Sequence, residues 1–258
     1  MHLEFYKYQG TGNDFVVIDD RQNAFDTNDQ ERIAFLCNRR MGVGADGLML
    51  LRQHSEVDFE MLYFNADGKE GSMCGNGGRC IVDFAHQLGM IKEQTTFMAV
   101  DGLHEAKWSD ELVALKMIDV AVVEQNDNHA FLDTGSPHYV QFVSDLSKID
   151  VVKEGSAIRY NERFKAEGTN VNFAEIQAGS CTVRTYERGV EAETLACGTG
   201  VTAVAIAAHA MQKGLSNPLT INVEGGLLKV SFESSDGVYS NVWLEGPATQ
   251  VYKGTIEC

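Results

Sequence analysis

The sequence has 258 residues, 44% of them hydrophobic, enough to bury one large core or two cores of roughly 120 residues each. The formal charge of −16, without any Lys/Arg cluster, argues against nucleic-acid or membrane partners, because phosphate neutralisation supplies most of that affinity. The longest apolar stretch, Val201–Met211, is shorter than the roughly 20 residues of a membrane-spanning helix, and Met1–Gln9 lacks a signal peptide's apolar region. We therefore expect a cytoplasmic protein.

Cysteine spacing bears on metal and disulfide chemistry. The six cysteines form no C-x-x-C pair and no alternation with histidine, so we expect neither a zinc site nor a disulfide framework. No lysine stands in the context of a Schiff base beside a phosphate loop, which leaves no basis for a pyridoxal cofactor. We expect no metal and no cofactor. Four of the cysteines are expected to be non-catalytic, namely Cys37, Cys80, Cys181 and Cys258.

In the first half of the chain, short β-branched or alternating runs predict strands at Phe15–Asp19, Phe59–Phe64 and Leu112–Met117. Cys74-Gly75-Asn76-Gly77 precedes a predicted amphipathic helix. Its apolar residues follow three- and four-residue spacing, at Ile81, Phe84, Ala85 and Leu88. The polar stretch Glu124–His129 predicts a domain boundary.

The second half carries a further polar stretch, Lys153–Asn161, which indicates another break between elements. Strands are predicted at Ser180–Tyr186 and Leu227–Phe232. Between them, Cys197-Gly198-Thr199-Gly200 precedes Val201–Met211, which is apolar on almost every side. We expect that helix to be wholly buried.

The chain is internally duplicated. The two C-G-x-G motifs lie 123 residues apart, and the same offset aligns three further pairs: His86 with His209, Tyr63 with Tyr186, and Val100-Asp101-Gly102 with Val223-Glu224-Gly225. A different offset aligns Gly10–Phe15 with Gly168–Phe173. We expect the paired histidines to be core or interface residues. The duplication predicts two similar α/β domains, 1–123 with Cys74 and 124–248 with Cys197, the segment at about 249–258 packing back on the first.

Two cysteines at equivalent helix starts suit a proton-transfer reaction. Inverting a stereocentre at Cα needs one group to remove the proton from one face and another to deliver a proton to the other face. If the two halves face each other, Cys74 and Cys197 supply a thiolate base and a thiol acid. A helix start favours a thiolate and a substrate carboxylate, because its N–H groups and its dipole attract anions.

Around these motifs the sequence resembles the diaminopimelate epimerase family along nearly the whole chain. The matching segments keep the family's order and spacing: Gly10-Thr11-Gly12-Asn13-Asp14-Phe15, Gly42-Val43-Gly44-Ala45-Asp46-Gly47, Phe64-Asn65-Ala66-Asp67-Gly68, Cys74-Gly75-Asn76-Gly77-Gly78-Arg79-Cys80, Gly135-Ser136-Pro137-His138, Asn170-Val171-Asn172-Phe173, Glu187-Arg188-Gly189 and Glu193-Thr194-Leu195-Ala196-Cys197-Gly198-Thr199-Gly200. The resemblance implies α/β domains, each a curved mixed sheet around a central helix, with the active site in the cleft between them.

The resemblance also implies an activity. It is that of a cofactor-independent isomerase that interconverts LL- and meso-2,6-diaminopimelate, in lysine and peptidoglycan precursor biosynthesis, as a homodimer. In the family the two cysteines work with partners that correspond to His138 for Cys74 and Glu187 for Cys197. Positions implied to bind the substrate are Asn13, Asn65, Gly75, Asn76, Asn170, Glu187, Arg188, Gly198 and Thr199.

Two residues depart from the family's usual pattern. Ser136 stands where Asn is common, and Gly47 stands where many members have Gln. Serine keeps a donor and an acceptor but is shorter, so a bridging water or a neighbouring side chain has to replace the amide's reach. The departure at Ser136 bears on the substrate rather than on the chemistry.

Other functions stay open on the same residues. The fold also serves racemases and epimerases for proline, hydroxyproline and histidine, and phenazine-type isomerases, which lack the cysteine pair. The polar set of Asn13, Asn65, Asn170 and Arg188 favours a substrate with a distal amino-acid end. A cysteine hydrolase or thiol redox protein, with His138 as base, needs only one of the two cysteines. A non-catalytic amino-acid-binding protein needs neither.

Overall fold

The computed structural model describes residues 2–177 and 179–258. In chain order its elements are β1 (His2–Gly10), β2 (Asn13–Asp19), α1 (Gln30–Cys37), β3 (Gly47–Arg52), β4 (Phe59–Asn65), α2 (Gly75–Gln87), β5 (Gln94–Ala99), β6 (Gly102–Ser109), β7 (Leu112–Lys116), β8 (Glu124–Gln125), β9 (His129–Asp133), β10 (Pro137–Val143), a 3-10 turn (Leu146–Lys148), α3 (Val151–Arg159), β11 (Asn170–Gln177), β12 (Ser180–Glu187), β13 (Ala192–Thr194), α4 (Gly198–Ala210), β14 (Leu219–Val223), β15 (Gly226–Ser235), β16 (Val238–Pro247) and β17 (Thr249–Glu257). The predicted strands and both predicted helices are confirmed. No helix in this described part is long and apolar enough to cross a membrane.

The chain divides into two compact units. The first runs to Leu115 and includes the C-terminal segment Gly246–Cys258, and the second is Lys116–Glu245. In the first unit β17 pairs antiparallel with β1, from His2 opposite Glu257 to Gln9 opposite Thr249. The domain limits expected from the sequence, 1–123 and 124–248, stay a prediction.

Each unit is built on a mixed sheet with the same order of pairings. In the first unit β1 to β7 pair in sequence, parallel at β2–β3 and β4–β5 and antiparallel elsewhere. In the second unit β9, β10, β11, β12, β14, β15 and β16 repeat that order, parallel at β10–β11 and β12–β14. The predicted duplication is therefore confirmed at the level of topology.

The topology corrects part of the predicted repeat. β2 corresponds to β10, whereas Gly168–Phe173 leads into β11, so the alignment of Gly10–Phe15 with Gly168–Phe173 is wrong. The sequence carried the correct signal, since the 123-residue offset aligns Thr11-Gly12 with Thr134-Gly135, ahead of β2 and β10.

The 123-residue offset holds at β3 and β11 and at the central helices, but strand register makes it 122 at β4 and β12, where Tyr63 corresponds to Thr185. It is 124 at the next hairpin, where Gly102 corresponds to Gly226, so the predicted pairs at Tyr63 and at Gly102 are each one residue off.

The break expected at Lys153–Asn161 is also wrong, because α3 covers most of it. Asp150 caps this helix by accepting a hydrogen bond from the Lys153 N–H at 3.1 Å. Only Val151 and Gly155 of this helix are buried, so most of its residues are at least partly exposed and its sequence resembles that of a polar loop. Gly155 allows the close approach, since a Cβ there would lie 2.5 Å from Cβ of Tyr186.

The longest helix of each unit lies against strands from across its sheet. α4 packs on β9, β10, β11, β12, β14 and β15, and α2 packs on β1, β2, β3, β6 and β17. One helix meets so many strands of a single sheet only where the sheet curves around it, which agrees with the expected curvature. The predicted burial of the second helix holds from Val201 to Ala208 and fails at His209, which is exposed near the helix end and bonds to the Tyr239 hydroxyl at 3.0 Å.

We expect the Ile206→Ala substitution in α4 to lower the free energy of unfolding by about 2–5 kcal/mol, because Ile206 is fully buried and the deletion leaves a cavity. Urea unfolding followed by circular dichroism measures the change. The matched control is Val152→Ala in α3, where the side chain is 49% exposed and the loss should stay near about 0.5 kcal/mol. Equal losses in the two variants would contradict the central position of α4.

Candidate active site

Cys74 is the N-cap residue of α2, with extended backbone angles of φ −114° and ψ 146°. Its sulfur accepts a hydrogen bond from the Gly77 N–H at 3.2 Å, as a serine or asparagine oxygen does in other helices. A Cβ on residue 77 would lie 3.2 Å from Sδ of Met49 and 3.3 Å from the Cys74 sulfur. The second glycine of the motif thus lets the helix start close on its cap, and the bond favours a negative charge on sulfur.

Asn13, at the start of β2, is oriented by a carboxylate. Its Nδ2 donates to Oδ2 of Asp46 at 2.6 Å, and Arg39 holds the other oxygen of Asp46 at 2.8 Å. With Nδ2 engaged, Oδ1 of Asn13 is left on the side of Cys74, 3.9 Å from the sulfur. The predicted substrate residue Asn13 therefore stands next to the predicted catalytic thiol.

Arg79 places a buried positive charge beneath the start of α2. Its guanidinium donates to Oγ1 of Thr11 at 3.0 Å and to Oδ1 of Asn76 at 2.9 Å, and also to the carbonyls of Gly75 and Pro247, both at 3.3 Å. Burial lowers the pKa of Arg79, and a thiolate at Cys80 or Cys74 would oppose that shift. All four hydrogen-bonded acceptors are neutral, so this cation contributes an attractive field for anions near Cys74.

Cys197 is the N-cap residue of α4 and occupies the equivalent place in the second unit. Its sulfur lies 3.5 Å from Oγ1 of Thr199. That hydroxyl is 2.9 Å from Nε2 of His138, which projects from β10. The second unit therefore links a histidine to its cysteine through a threonine.

His138 is fully buried in the second unit. Burial lowers the pKa of His138 to about 3, and the charge of Arg188 acts in the same direction. Its Nδ1 lies 3.0 Å from Nδ2 of Asn172. The imidazole is therefore neutral at physiological pH. Its predicted partnership with Cys74, which belongs to the first unit, stays a prediction.

Glu187 ends β12 with its carboxylate largely buried. Oε2 accepts a hydrogen bond from the Thr194 hydroxyl at 2.9 Å. Burial raises the pKa of Glu187 above its ordinary value, and the Thr194 bond offsets part of that shift. A carboxylate of raised proton affinity suits an acid–base role. Its predicted work with Cys197 stays a prediction.

Asn170 holds Ser136 and Arg188 in place. Its Nδ2 donates to Oγ of Ser136 at 2.8 Å and to the Pro137 carbonyl at 3.2 Å, and its Oδ1 accepts the Arg188 N–H at 2.9 Å. The Arg188 guanidinium in turn reaches Oγ of Ser136 at 3.4 Å and the Glu167 carbonyl at 3.1 Å. Ser136 therefore lies between two of the predicted substrate residues, Asn170 and Arg188. The Asn170 amide donates both of its hydrogens to acceptors of the protein itself.

The unusual glycine at position 47 has a steric reason. A Cβ there would lie 2.4 Å from the Tyr63 ring and 2.6 Å from the Phe64 carbonyl oxygen. Tyr63 therefore fills the space that a longer residue needs. Asn65, at the exposed end of β4, occupies the position equivalent to Glu187 at the end of β12, because Phe64 pairs with Leu48 as Tyr186 pairs with Val171.

Within each unit the structure brings most predicted residues to one end of the central helix. The first unit gathers Asn13, Cys74, Gly75 and Asn76, and the second gathers His138, Asn170, Arg188, Cys197, Gly198 and Thr199. Sequence reasoning missed the residues that orient them, namely Thr11, Asp46, Arg79 and Asn172. Among the described residues, no group of three His, Cys, Asp or Glu side chains is placed to hold a metal ion.

Burial of neutral His138 predicts a pH-dependent stability. In the unfolded chain this residue takes up a proton near pH 6.5, whereas in the folded chain burial delays its protonation until about pH 3. The contribution of neutral His138 to the free energy of unfolding is therefore complete above about pH 6.5, and it is lost as the pH falls toward about 3. We expect the native protein to lose stability over this range relative to His138→Gln, measured by urea unfolding at a series of pH values.

The control for this experiment is His2→Gln, because the His2 side chain is 78% exposed. Its difference from the native protein should change little over the same range. Parallel curves for the native protein and His138→Gln would show that His138 is not a buried neutral histidine.

Comparisons with known proteins agree with this geometry. The family model described as "Diaminopimelate epimerase" matches residues 5–123 and again 130–251. A diaminopimelate epimerase of Flavobacterium psychrophilum is 50% identical over 256 residues, which cover 98% of this chain and all of that protein. The diaminopimelate epimerase of Chlorobaculum tepidum is 44% identical over 257 residues, covering 96% of this chain and 98% of that protein.

Solved structures share the fold at low identity. A phenazine biosynthesis protein of the PhzF family from Bacillus anthracis superposes with a TM-score of 0.78 at 12% identity, covering all of both chains. A hydroxyproline epimerase from Agrobacterium vitis superposes with a TM-score of 0.68 at 14% identity, covering 99% of this chain and 92% of the other. Because the family model matches both halves and the relatives align over nearly their whole length, this chain belongs to the diaminopimelate epimerase family.

Proposed function

We propose that this protein interconverts LL- and meso-2,6-diaminopimelate by a two-cysteine route that uses no metal and no organic cofactor. One observation carries the proposal: each unit starts its central helix with a cysteine in the N-cap position, Cys74 before α2 and Cys197 before α4. A duplicated fold that repeats a thiol at this place supplies the acid and the base that stereoinversion needs. Membership of the family supports the same reaction.

In the proposed reaction one cysteine is a thiolate and the other a thiol, on opposite faces of one substrate Cα, in a cleft between the two domains. The thiolate removes the α-proton, and the thiol donates its own proton to the opposite face. The substrate leaves inverted, and the two cysteines have exchanged protonation states. A product molecule binding in the reverse direction restores the first arrangement.

The helix starts lower the energy of the intermediate. Loss of the α-proton moves charge onto the α-carboxylate, and the first N–H groups of a helix have no intrahelical carbonyl to bond. We assign the backbone of Gly75, Asn76, Gly198 and Thr199 to this carboxylate. The buried cation of Arg79 adds a favourable field on the Cys74 side. Donors fixed before the reaction do not have to reorganise during it.

The distal end of diaminopimelate carries an ammonium and a carboxylate. We assign Arg188 to the carboxylate, because a guanidinium meets it with two parallel hydrogen bonds. Glu187 suits the ammonium group as an acceptor, and Asn13, Asn65 and Asn170 complete the polar set. The hydrogen bond from Arg188 to Ser136 and the anchoring of both by Asn170 support a fixed guanidinium at this end.

His138 and Glu187 are proposed to set the ionisation of Cys74 and Cys197 respectively. The setting proposed for the protein is the cytoplasm, as a homodimer, supplying lysine and peptidoglycan precursors. The charge of −16 gives it no basis for binding nucleic acids or anionic membranes.

The deciding experiment is turnover of LL-diaminopimelate in deuterated water under reducing conditions, with proline, hydroxyproline and histidine offered separately. We expect α-deuterium to enter with inversion for diaminopimelate alone. Exchange of another amino acid instead would keep the two-thiol chemistry and change the substrate, and no exchange with any of them would end the proposal.

Each single cysteine variant should lose inversion. Cys74→Ala and Cys197→Ala each remove one of the two proton carriers, so the native enzyme's rate should fall to background in both. Cys181→Ala is the control, because Cys181 is buried and burial raises the pKa of its thiol to about 12. Full inversion by either active-site variant would contradict the two-cysteine route, because one of the two thiols would then be dispensable.

We expect Arg188→Met to raise the KM for diaminopimelate about tenfold or more, since hydrogen bonds to charged groups contribute about 1.5–3 kcal/mol. Steady-state kinetics separates this effect from kcat, which should change less. Arg163→Met in the same unit is the control, because Arg163 pairs with exposed Glu124 at 2.7 Å. An unchanged KM in Arg188→Met would remove Arg188 from the substrate site.

A further inference from the structure

A buried chain of hydrogen bonds runs through the second unit to Cys197. The Thr185 hydroxyl donates to Oδ1 of Asn172 at 2.9 Å, and Nδ2 of Asn172 lies 3.0 Å from Nδ1 of His138. Nε2 of His138 is 2.9 Å from Oγ1 of Thr199, which is 3.5 Å from the Cys197 sulfur. Thr185, Asn172 and His138 are all buried.

The partners of Asn172 fix how its amide is turned. Nδ2 also donates to the Tyr139 carbonyl oxygen at 3.2 Å. A carbonyl oxygen only accepts hydrogen bonds, so the amide atom of Asn172 that faces it must be the nitrogen and not the oxygen. The NH2 group therefore faces both Tyr139 and His138. Since an NH2 group only donates, Nδ1 of His138 must carry a lone pair, and the proton of the neutral ring is on Nε2.

The first unit shows that the fold does not require this chain. At the positions equivalent to His138 and Asn172, the first unit has Phe15 and Met49, and Tyr63 pairs with Met49 as Thr185 pairs with Asn172. Phe15 and Met49 are fully buried. Apolar residues thus take the places of the imidazole and the amide in the same topology, and buried polar groups cost free energy unless they are fully bonded. The hydrogen-bonded chain of the second unit therefore has a functional reason, which is to orient His138 and to stabilise Cys197.

The last glycine of the second C-G-x-G motif makes room for this arrangement. A Cβ on Gly200 would lie 2.4 Å from Oδ1 of Asn172 and 3.3 Å from Cε1 of His138. The start of α4 therefore rests directly on the amide and the ring. Charged or titratable groups facing the ring in the described structure are Arg188, and Cys197 by way of Thr199.

We propose that Asn172 is a positioning residue that holds His138 as the neutral Nε2–H tautomer, so that the ring donates to Thr199 and the Thr199 hydroxyl stabilises Cys197. When Cys197 is a thiolate, the hydroxyl donates to it. When Cys197 is a thiol, its S–H donates to the hydroxyl oxygen. The effect on turnover rests on the proposed function, whereas the tautomer does not.

The tautomer is tested by NMR of the full-length protein with 15N-labelled histidine. His138→Gln identifies the His138 signals. The native ring should show a protonated Nε2 and an unprotonated Nδ1, without titration between about pH 5 and pH 8. In Asn172→Asp the carboxylate accepts a hydrogen bond, so the proton should appear on Nδ1. Asn222→Asp is the control, because Asn222 donates to the Cys181 carbonyl at 3.2 Å and should leave the ring unchanged.

A native ring protonated on Nδ1, or an unchanged tautomer in Asn172→Asp, overturns the proposal. The first result needs no variant, so a variant that fails to fold does not remove the test.

Kinetics tests the link to Cys197. We expect kcat in Asn172→Asp to fall on the order of tenfold or more, with KM little changed, as for other residues that orient a catalytic group. Thr199→Val should show the same loss, and Thr199→Ser should restore most of it. A shifted tautomer with native kcat, or a native kcat in Thr199→Val, overturns the role at Cys197. An inactive native protein with the expected tautomer would instead contradict the proposed function.

Discussion

The start of the central helix is the constraint on which each unit depends. The first turn of a helix leaves N–H groups without intrahelical partners, so something there has to accept hydrogen bonds. Cys74 does so with its sulfur, and the sheet curves around the rest of the helix to cover its apolar sides. The N–H groups without intrahelical partners are therefore concentrated at one end of the helix. Glycines next to the cap allow neighbouring side chains to approach that end closely, as Asn172 approaches Gly200.

The two units share a backbone plan but differ in the charge around their cysteines. The first unit has the buried guanidinium of Arg79 below the helix start, and the equivalent residue of the second unit is Thr202, whose hydroxyl bonds to the Gly198 carbonyl at 3.0 Å. The second unit has a neutral histidine where the first has Phe15. A buried cation and a buried imidazole each carry a desolvation cost. Duplication thus supplied the geometry once, and later substitutions made the two thiol environments unequal.

Local patterns in the sequence were enough to predict the strands, both central helices and the capping position of the two cysteines, because alternation, periodicity and glycine placement act over a few residues. They failed for α3, whose narrow buried side is only Val151 and Gly155. They also failed for Asp46 and Asn172. Those residues matter through strand pairing, which sets His138 beside Asn170 in parallel register and so brings Asn172 to the ring. No spacing along a single segment reveals such a neighbour.

The pairing of β17 with β1 makes the first unit discontinuous in sequence. β1 spans His2–Gly10, its partner spans Thr249–Glu257, and the whole of Lys116–Glu245 lies between them. Joining two strands that are so far apart costs loop-closure entropy that a hairpin does not. The second unit is one continuous segment and its own strand pairs close shorter loops. We therefore expect the β1–β17 edge to form late in folding, after most local strand pairs of both units.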